Sequence, residues 1–345
     1  VSAAQEMVGV RKTRGMTDHR AGLECFRHPR PTQRRPKIHG TIWSWASGMQ
    51  ARSLTGNCGM LVGSVLPLTW HGARLGLDLI WRTTKIPEAA MAEAAILASD
   101  SLWRKIRDEA QGAAAADSVF GESVASAILA HDDFAAALAD LIGRRLGGGD
   151  VGCENFAAFS RDAFHRQPDL IEAASHDLQA IVRSDPAIAG LLAPLLHFKG
   201  YVALQAWRVS HWLWLNDRRD AALLFQNEAS NVLQVSIHPA ATIGSAVYLD
   251  HATGIVIGAN VVIGDEVTIL QNVSIGRGSE MPTRSPRIGR GVYIGAGATI
   301  LGDINIGDFA KVGADTVVIS DVPGGCTAIG NPARLTNCPE PAAAA

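Results

Sequence analysis

The chain has 345 residues, with 31 Lys and Arg against 33 Asp and Glu, a formal charge of −2 and only 19% charged residues. That balance excludes a dedicated nucleic-acid or polyanion binder, whose footprint is a strongly basic face. The five cysteines, Cys25, Cys58, Cys153, Cys326 and Cys338, are odd in number, widely spaced and contain no C-x-x-C pair. Neither a disulfide framework nor a zinc ribbon is expected from them, and a cytoplasmic, reducing compartment is.

In chain order, residues 1–85 come first and differ from the rest. Arg11, Lys12, Arg14, Arg20, Arg27, Arg30, Arg34, Arg35 and Lys37 face only Glu6, Asp18 and Glu24, and no apolar period persists. The segment reads as a basic disordered extension or a misassigned start, with an Arg-rich targeting peptide as the third reading. The apolar stretch 58–70 is interrupted by Gly63 and Pro67, and it is shorter than the ~18 residues of a membrane span.

From about Ile86 to residue 234 apolar residues recur at spacings of three and four, predicting an α-helical domain. Asp169 with Glu172 three residues on has capping-box spacing. Leu170, Ala173, Ala174, Leu178 and Ile181 then share a face, and Pro186 closes that helix. A second helix is predicted from about Pro194 through Trp214, and a third from Arg219 to Leu233.

At Val235 the period changes to six. Stepping from Ile237 meets Ile243, Leu249, Ile255, Val261, Val267 and Val273; after a break the count restarts at Ile288 with Ile294, Ile300, Ile306, Val312 and Val318. Self-similarity at a short fixed period predicts a solenoid over residues 235–335 in which about eighteen residues complete a triangular turn. Each aliphatic points inward, and burying one is worth about 1.5–3 kcal/mol. Gly258, Gly264, Gly289, Gly295, Gly307 and Gly313 are placed at corners that need small residues or positive φ. Val273 to Ile288 is fifteen residues, no multiple of six, so a loop is extruded between about Gly276 and Arg287. Loops leaving a rigid scaffold tend to carry function. Residues 336–345 read as a flexible tail.

Longer strings then carry a resemblance. Ala193-Pro-Leu-Leu-His-Phe-Lys199-Gly200-Tyr201, Ala203-Leu-Gln-Ala-Trp-Arg208, His211-Trp-Leu-Trp214, Ile237-His238-Pro239-Ala240-Ala241 and Leu249-Asp250-His251-Ala252-Thr253-Gly254 resemble the serine O-acetyltransferase family. Ile294-Gly-Ala-Gly-Ala298 and Gly330-Asn-Pro-Ala-Arg334 match it too, but occur across many hexapeptide acyltransferases. The resemblance covers about residues 100–335. It implies an α+β chain: an N-terminal α-helical domain followed by a left-handed parallel β-helix, an exception to the right-handed crossover rule. It further implies acetyl transfer from acetyl-CoA to the L-serine hydroxyl, the first step of cysteine biosynthesis, by a homotrimer or dimer of trimers with active sites between neighbouring prisms.

On that resemblance His251 is the general base, since a neutral imidazole suits proton removal near pH 7. Asp250 and Asp185 contact the substrate serine, including its ammonium, and Arg284 in the extruded loop binds its carboxylate. Gly276, Ala296 and Lys311 lie where the family binds CoA. His238 follows the family pattern in either a structural or a catalytic role. Taken alone, each also has a plain reading: Asp185 a turn residue, Arg284 an exposed loop residue, Lys311 a solvated lysine.

Two positions depart from the family. Ser236 stands where an acid orients the catalytic imidazole, and Ser285 stands in place of the histidine of Arg-His-Pro in the loop. Losing an orienting acid costs about 10⁴ in turnover in a serine-protease triad, so activity is expected to be reduced. The chain closes on Pro341-Ala-Ala-Ala-Ala345 rather than an isoleucine, so a complex with O-acetylserine sulfhydrylase is not expected. A hexapeptide acyltransferase with another hydroxyl acceptor and a catalytically lapsed assembly or regulatory homologue are the alternatives. No metal is implied, because thioester acyl transfer needs none and the histidines lack ligand spacing. Neither a nucleic-acid nor a membrane partner is expected.

Overall fold

The structure is a computed structural model that describes residues 88–148, 151–278 and 284–339. The extension at 1–85, the cysteines Cys25 and Cys58, the middle of the extruded loop and the last residues of the tail lie outside the described residues.

Among the described residues, eight α-helices precede the strands: α1 (Glu88–Ala116), α2 (Ser118–Val124), α3 (Phe134–Leu146), α4 (Cys153–Arg166), α5 (Asp169–Ser184), α6 (Leu192–His197), α7 (Lys199–Leu215) and α8 (Arg219–Glu228). Asp117 and Asp133 cap α2 and α3 by accepting bonds from backbone amides, as short oxygen-bearing side chains do. The capping box expected at Asp169 is not formed. Pro168 occupies the cap of α5 without a side-chain bond, and Asp169 and Glu172 lie inside its first turn, where their charge favours the helix dipole. The predicted core face holds at Ala174, Leu178 and Ile181, which are buried. The single helix expected over 194–214 is two, broken at Phe198, whose ψ of 103° is extended. The last helix of the expected trio continues past α8 as a π-turn over Ala229–Leu233. Helix α7 is buried almost throughout, from Gly200 to Ser210 and again at Trp212 and Leu213, because other helices and the first coil surround it.

The strands follow coil by coil. The first coil holds β1 (Val235–Ile237), β2 (Thr242–Ile243) and β3 (Tyr248–Leu249); the second β4 (Ile255–Ile257), β5 (Val262–Ile263) and β6 (Thr268–Ile269). The third holds β7 (Ser274–Gly276), β8 (Arg287–Ile288) and β9 (Tyr293–Ile294); the fourth β10 (Thr299–Leu301), β11 (Asn305–Ile306) and β12 (Lys311–Val312). Then come β13 (Val317–Val318), β14 (Thr327–Ile329) and β15 (Arg334–Thr336). They stack into three sheets, β1-β4-β7-β10-β13, β2-β5-β8-β11 and β3-β6-β9-β12-β14-β15, parallel except for the closing β14–β15 pair. This is the expected helical bundle followed by the left-handed hexapeptide solenoid.

The register corrects the six-residue count. Ile237 pairs with Ile257, twenty residues on, whereas Ile257 pairs with Ile275 and Ile300 with Val318, each eighteen on. The first coil therefore carries two extra residues, at 250–254. A single row from Ile237 to Val273 in fact splices two inward rows, one through Ile237, Ile243 and Leu249, the other through Ile255, Val261, Val267 and Val273. All are buried, so an aliphatic count alone cannot detect the slip. Ile275 pairs with Ile300, twenty-five residues on, so the extruded loop adds seven residues.

The corner glycines are also explained differently. Positive φ falls two residues after each of them, on Asn260, Glu266, Gly291, Gly297, Phe309 and Asp315. The glycines supply room instead: a Cβ on Gly289 would lie 2.4 Å from Asp308 Oδ1 of the next coil, and one on Gly307 2.4 Å from Gly324 N.

One expectation about cysteine is overturned. Cys326 and Cys338 form a disulfide. They are twelve residues apart and flank the two strands of the β14–β15 hairpin, whose register pairs Thr327 with Thr336. Antiparallel pairing of their neighbours brings together two residues whose spacing matches no motif. Cys153 is a free, exposed thiol.

Candidate active site

The two extra residues of the first coil form a tight corner. His251 and Ala252 both hold left-handed backbone, with φ of 55° and 58°, and Gly254 follows at 76°. The amide of Ala252 bonds to Asp250 O at 2.5 Å, and that of Thr253 to His251 O at 2.8 Å. Non-glycine residues at positive φ are uncommon and costly, and persist where their surroundings over-determine them. Here the N-terminus of α7 does so. Gly200 lies so close to Leu249 O that a Cβ would sit 2.1 Å from it, and Lys199 Nζ bonds to Thr253 Oγ1.

A cavity of about 270 Å³ opens at this corner, lined by Asp185, His197, Phe198, Lys199, Gly200, Tyr248, Leu249, Asp250 and His251. Three sequence-predicted residues thus meet: Asp185, Asp250 and His251. Asp185 reaches it from the C-terminal end of α5, where its Oδ1 accepts a bond from the Ala187 amide at 2.9 Å. His251 is exposed and its Nε2 lies 3.8 Å from Asp250 Oδ1. The phenol of Tyr248 donates to the same Oδ1 at 2.8 Å. Burial, the bond to Asp250 and the charges of Asp250 and Asp185 push the Tyr248 hydroxyl far above its ordinary range, so it stays protonated and a donor. Tyr248 was not anticipated: it occupies an outward position of the repeat, where the period says nothing about residue type. Lys199 was legible only as part of a motif.

The remaining predicted residues lie elsewhere on the prism. His251 and Ala296 sit on the edge where the third sheet passes to the first, in the first and third coils. Gly276, Arg284, Ser285 and His238 sit on the opposite edge of the first sheet, where it passes to the second. Lys311 is exposed on β12. The single chain therefore does not bring Arg284 to His251; Arg284 pairs instead with Asp303 at 3.2 Å. Gly276 differs from the corner glycines in that an added Cβ would meet nothing within 4 Å. Ala296 O accepts a bond from the Asp315 amide at 2.8 Å.

The two departing serines are both engaged. Ser236 Oγ accepts from Gln226 Nε2 at 3.2 Å, and buried Ser285 donates to Ala259 O at 2.7 Å. His238 Nδ1 accepts from the Ala240 amide at 3.0 Å, and its ring meets Trp214 edge-on. Burial and the positive charge of Arg277 lower its pKa below the ordinary 6.5.

A buried ion pair joins the helices to the first coil. Arg208 of α7 binds Asp177 of α5 through Nη2 at 2.7 Å and Nε at 3.0 Å. Gln205 donates to the same carboxylate, Asp177 Oδ1 accepts the Val247 amide at 2.9 Å, and Arg208 also donates to Gly244 O. Two helices are thus tied to the first coil just before Tyr248 and Asp250. Among the described residues no group of three or more His, Cys, Asp or Glu side chains could hold a metal ion, and no helix is long and apolar enough to cross a membrane.

Comparison with known proteins places this architecture. The family described as "Serine acetyltransferase, N-terminal" matches residues 102–206. The serine acetyltransferase of Salmonella typhimurium is 49% identical over 179 residues, 52% of this chain and 66% of that protein, so the chain spans just under two thirds of this curated relative. Soybean serine acetyltransferase complexed with serine superposes with a TM-score of 0.67 at 42% identity, covering 69% of this chain and 99% of that one. A serine acetyltransferase in complex with CoA gives the same TM-score at 39% identity, covering 69% and 100%. With such identity over nearly the full length of solved members, and with the helical bundle, the hexapeptide prism and the Asp250-His251 corner in place, the chain belongs to the serine acetyltransferase family.

Proposed function

We propose that this protein transfers the acetyl group of acetyl-CoA to the hydroxyl of L-serine, giving O-acetylserine and the thiol of CoA at the entry to cysteine biosynthesis. The observation that carries the reading is the convergence of Asp185, Asp250 and His251 on one cavity at the strained corner of the first coil. The relatives complexed with serine and with CoA support it.

In this reading His251 takes the serine proton as the oxygen attacks the thioester carbon. The C–S bond then breaks, and the imidazolium returns the proton to the departing thiolate. Asp185 and Asp250 face the ammonium, whose attraction to carboxylates is strengthened in a partly desolvated cleft. Arg284 binds the carboxylate with its planar fork. Since Arg284 and His251 occupy different edges of one prism, a complete site takes its arginine from a neighbouring copy, and the protein works as a homotrimer or a dimer of trimers. Gly276, Ala296 and Lys311 receive CoA; the open space over Gly276 favours close approach of a ligand to the backbone. The setting is cytoplasmic.

Thiol release from acetyl-CoA by the purified protein, with and without L-serine, tests this. Release should require serine and be lost in His251→Ala. Serine-independent release, or activity retained without the imidazole, would remove the reading.

The same proposal includes slow turnover, favoured by the engagement of Ser236 with Gln226 and of Ser285 with Ala259. A hydroxyl at 236 cannot offset the charge of an imidazolium. The double variant Ser236→Asp with Ser285→His should raise kcat, in the limit toward the ~10⁴ that an orienting acid contributes in a serine protease. An unchanged kcat would point to a lapsed homologue or another acceptor.

A further inference from the structure

We infer that Tyr248 is a positioning residue for the acceptor, acting through Asp250. The inference rests on the serine-acetyltransferase reading above and deepens it. Tyr248 stands at an outward position of β3, yet it is buried, because β3 packs against α7, and it lines the cavity. That hydroxyl donates to Asp250 Oδ1 at 2.8 Å, the oxygen that also lies 3.8 Å from His251 Nε2. A bond at Oδ1 restricts rotation of the carboxylate, and so holds in one orientation the group facing both the acceptor's ammonium and the base. Asp250 needs such a hold. Its amide donates to Ile269 O of the next coil at 2.8 Å, which fixes the main chain just before two residues in left-handed conformation but leaves the carboxylate's rotation to be set by a side-chain partner. The position normally given to an orienting acid carries Ser236, whose hydroxyl is engaged by Gln226. Asp250 is therefore the carboxylate that this chain places beside the imidazole, and Tyr248 is what orients it.

The test is steady-state kinetics on the full chain carrying Tyr248→Phe, which keeps the ring and its packing and removes only the donor. Hydrogen bonds to charged groups are strong enough that the KM for L-serine should rise roughly 10-fold or more. The KM for acetyl-CoA and the melting temperature should stay at wild-type values. A purely structural tyrosine would not split the two substrates in this way. Equal KM values for serine in the two proteins would overturn the inference while leaving the acetyltransferase reading intact. A wild-type protein with no serine-dependent thiol release would overturn both.

Discussion

His238 shows how much a single residue's surroundings decide. The family pattern marks it without giving it a role. In the structure its ring accepts the Ala240 amide at Nδ1 and packs against Trp214, and burial together with Arg277 lowers its pKa. The sign of the pH effect follows. The folded pKa lies below the unfolded 6.5, so below that pH the unfolded chain binds more protons, and stability falls as pH drops through the folded value. Between about pH 7.5 and pH 5.5 the wild-type melting temperature should fall more steeply than that of His238→Asn, which keeps an acceptor for Ala240 but cannot titrate. Parallel melting curves would show that His238 does not contribute. At this scale the resemblance singled out Asp185, Asp250 and His251, which line one cavity. It did not single out Tyr248, because its importance lies in one oxygen it reaches two residues away.

At the scale of elements, the join between bundle and prism matters most. The Asp177–Arg208 pair is buried on both sides and shares its atoms with Gln205, Val247 and Gly244. Removing one member of such a pair leaves a charge without its partner in a poorly solvating interior. Asp177→Ala should therefore destabilise the protein by about 3–5 kcal/mol in urea unfolding, and a loss below about 1 kcal/mol would place the pair among those of surface strength. The helical pattern showed that helices exist over this region, because apolar spacing is local. It did not show the break at Phe198, which lets α7 begin against the first coil, with Gly200 touching Leu249 O. Nor did it show that the Asp169 cap is replaced by Pro168; a first-turn acid and a cap are one residue apart and read alike in sequence.

For the whole molecule, the sequence by itself determined the architecture: apolar residues at spacings of three and four, then a six-residue aliphatic period, admit few folds other than a helical bundle followed by a hexapeptide solenoid. Both signals are local and repeat many times, so single errors average out. The tertiary structure alone decided the register. Two inward rows of aliphatics are chemically equivalent, so only the pairing of Ile237 with Ile257 reveals the extra residues that bend the first coil into the His251 corner. It alone decided that Cys326 meets Cys338, because a closing hairpin sets that distance. It also decided that His251 and Arg284 stand on different edges of the prism. A period places a residue within its own coil, but which residues share a cavity depends on how coils stack and on which helix end packs against them.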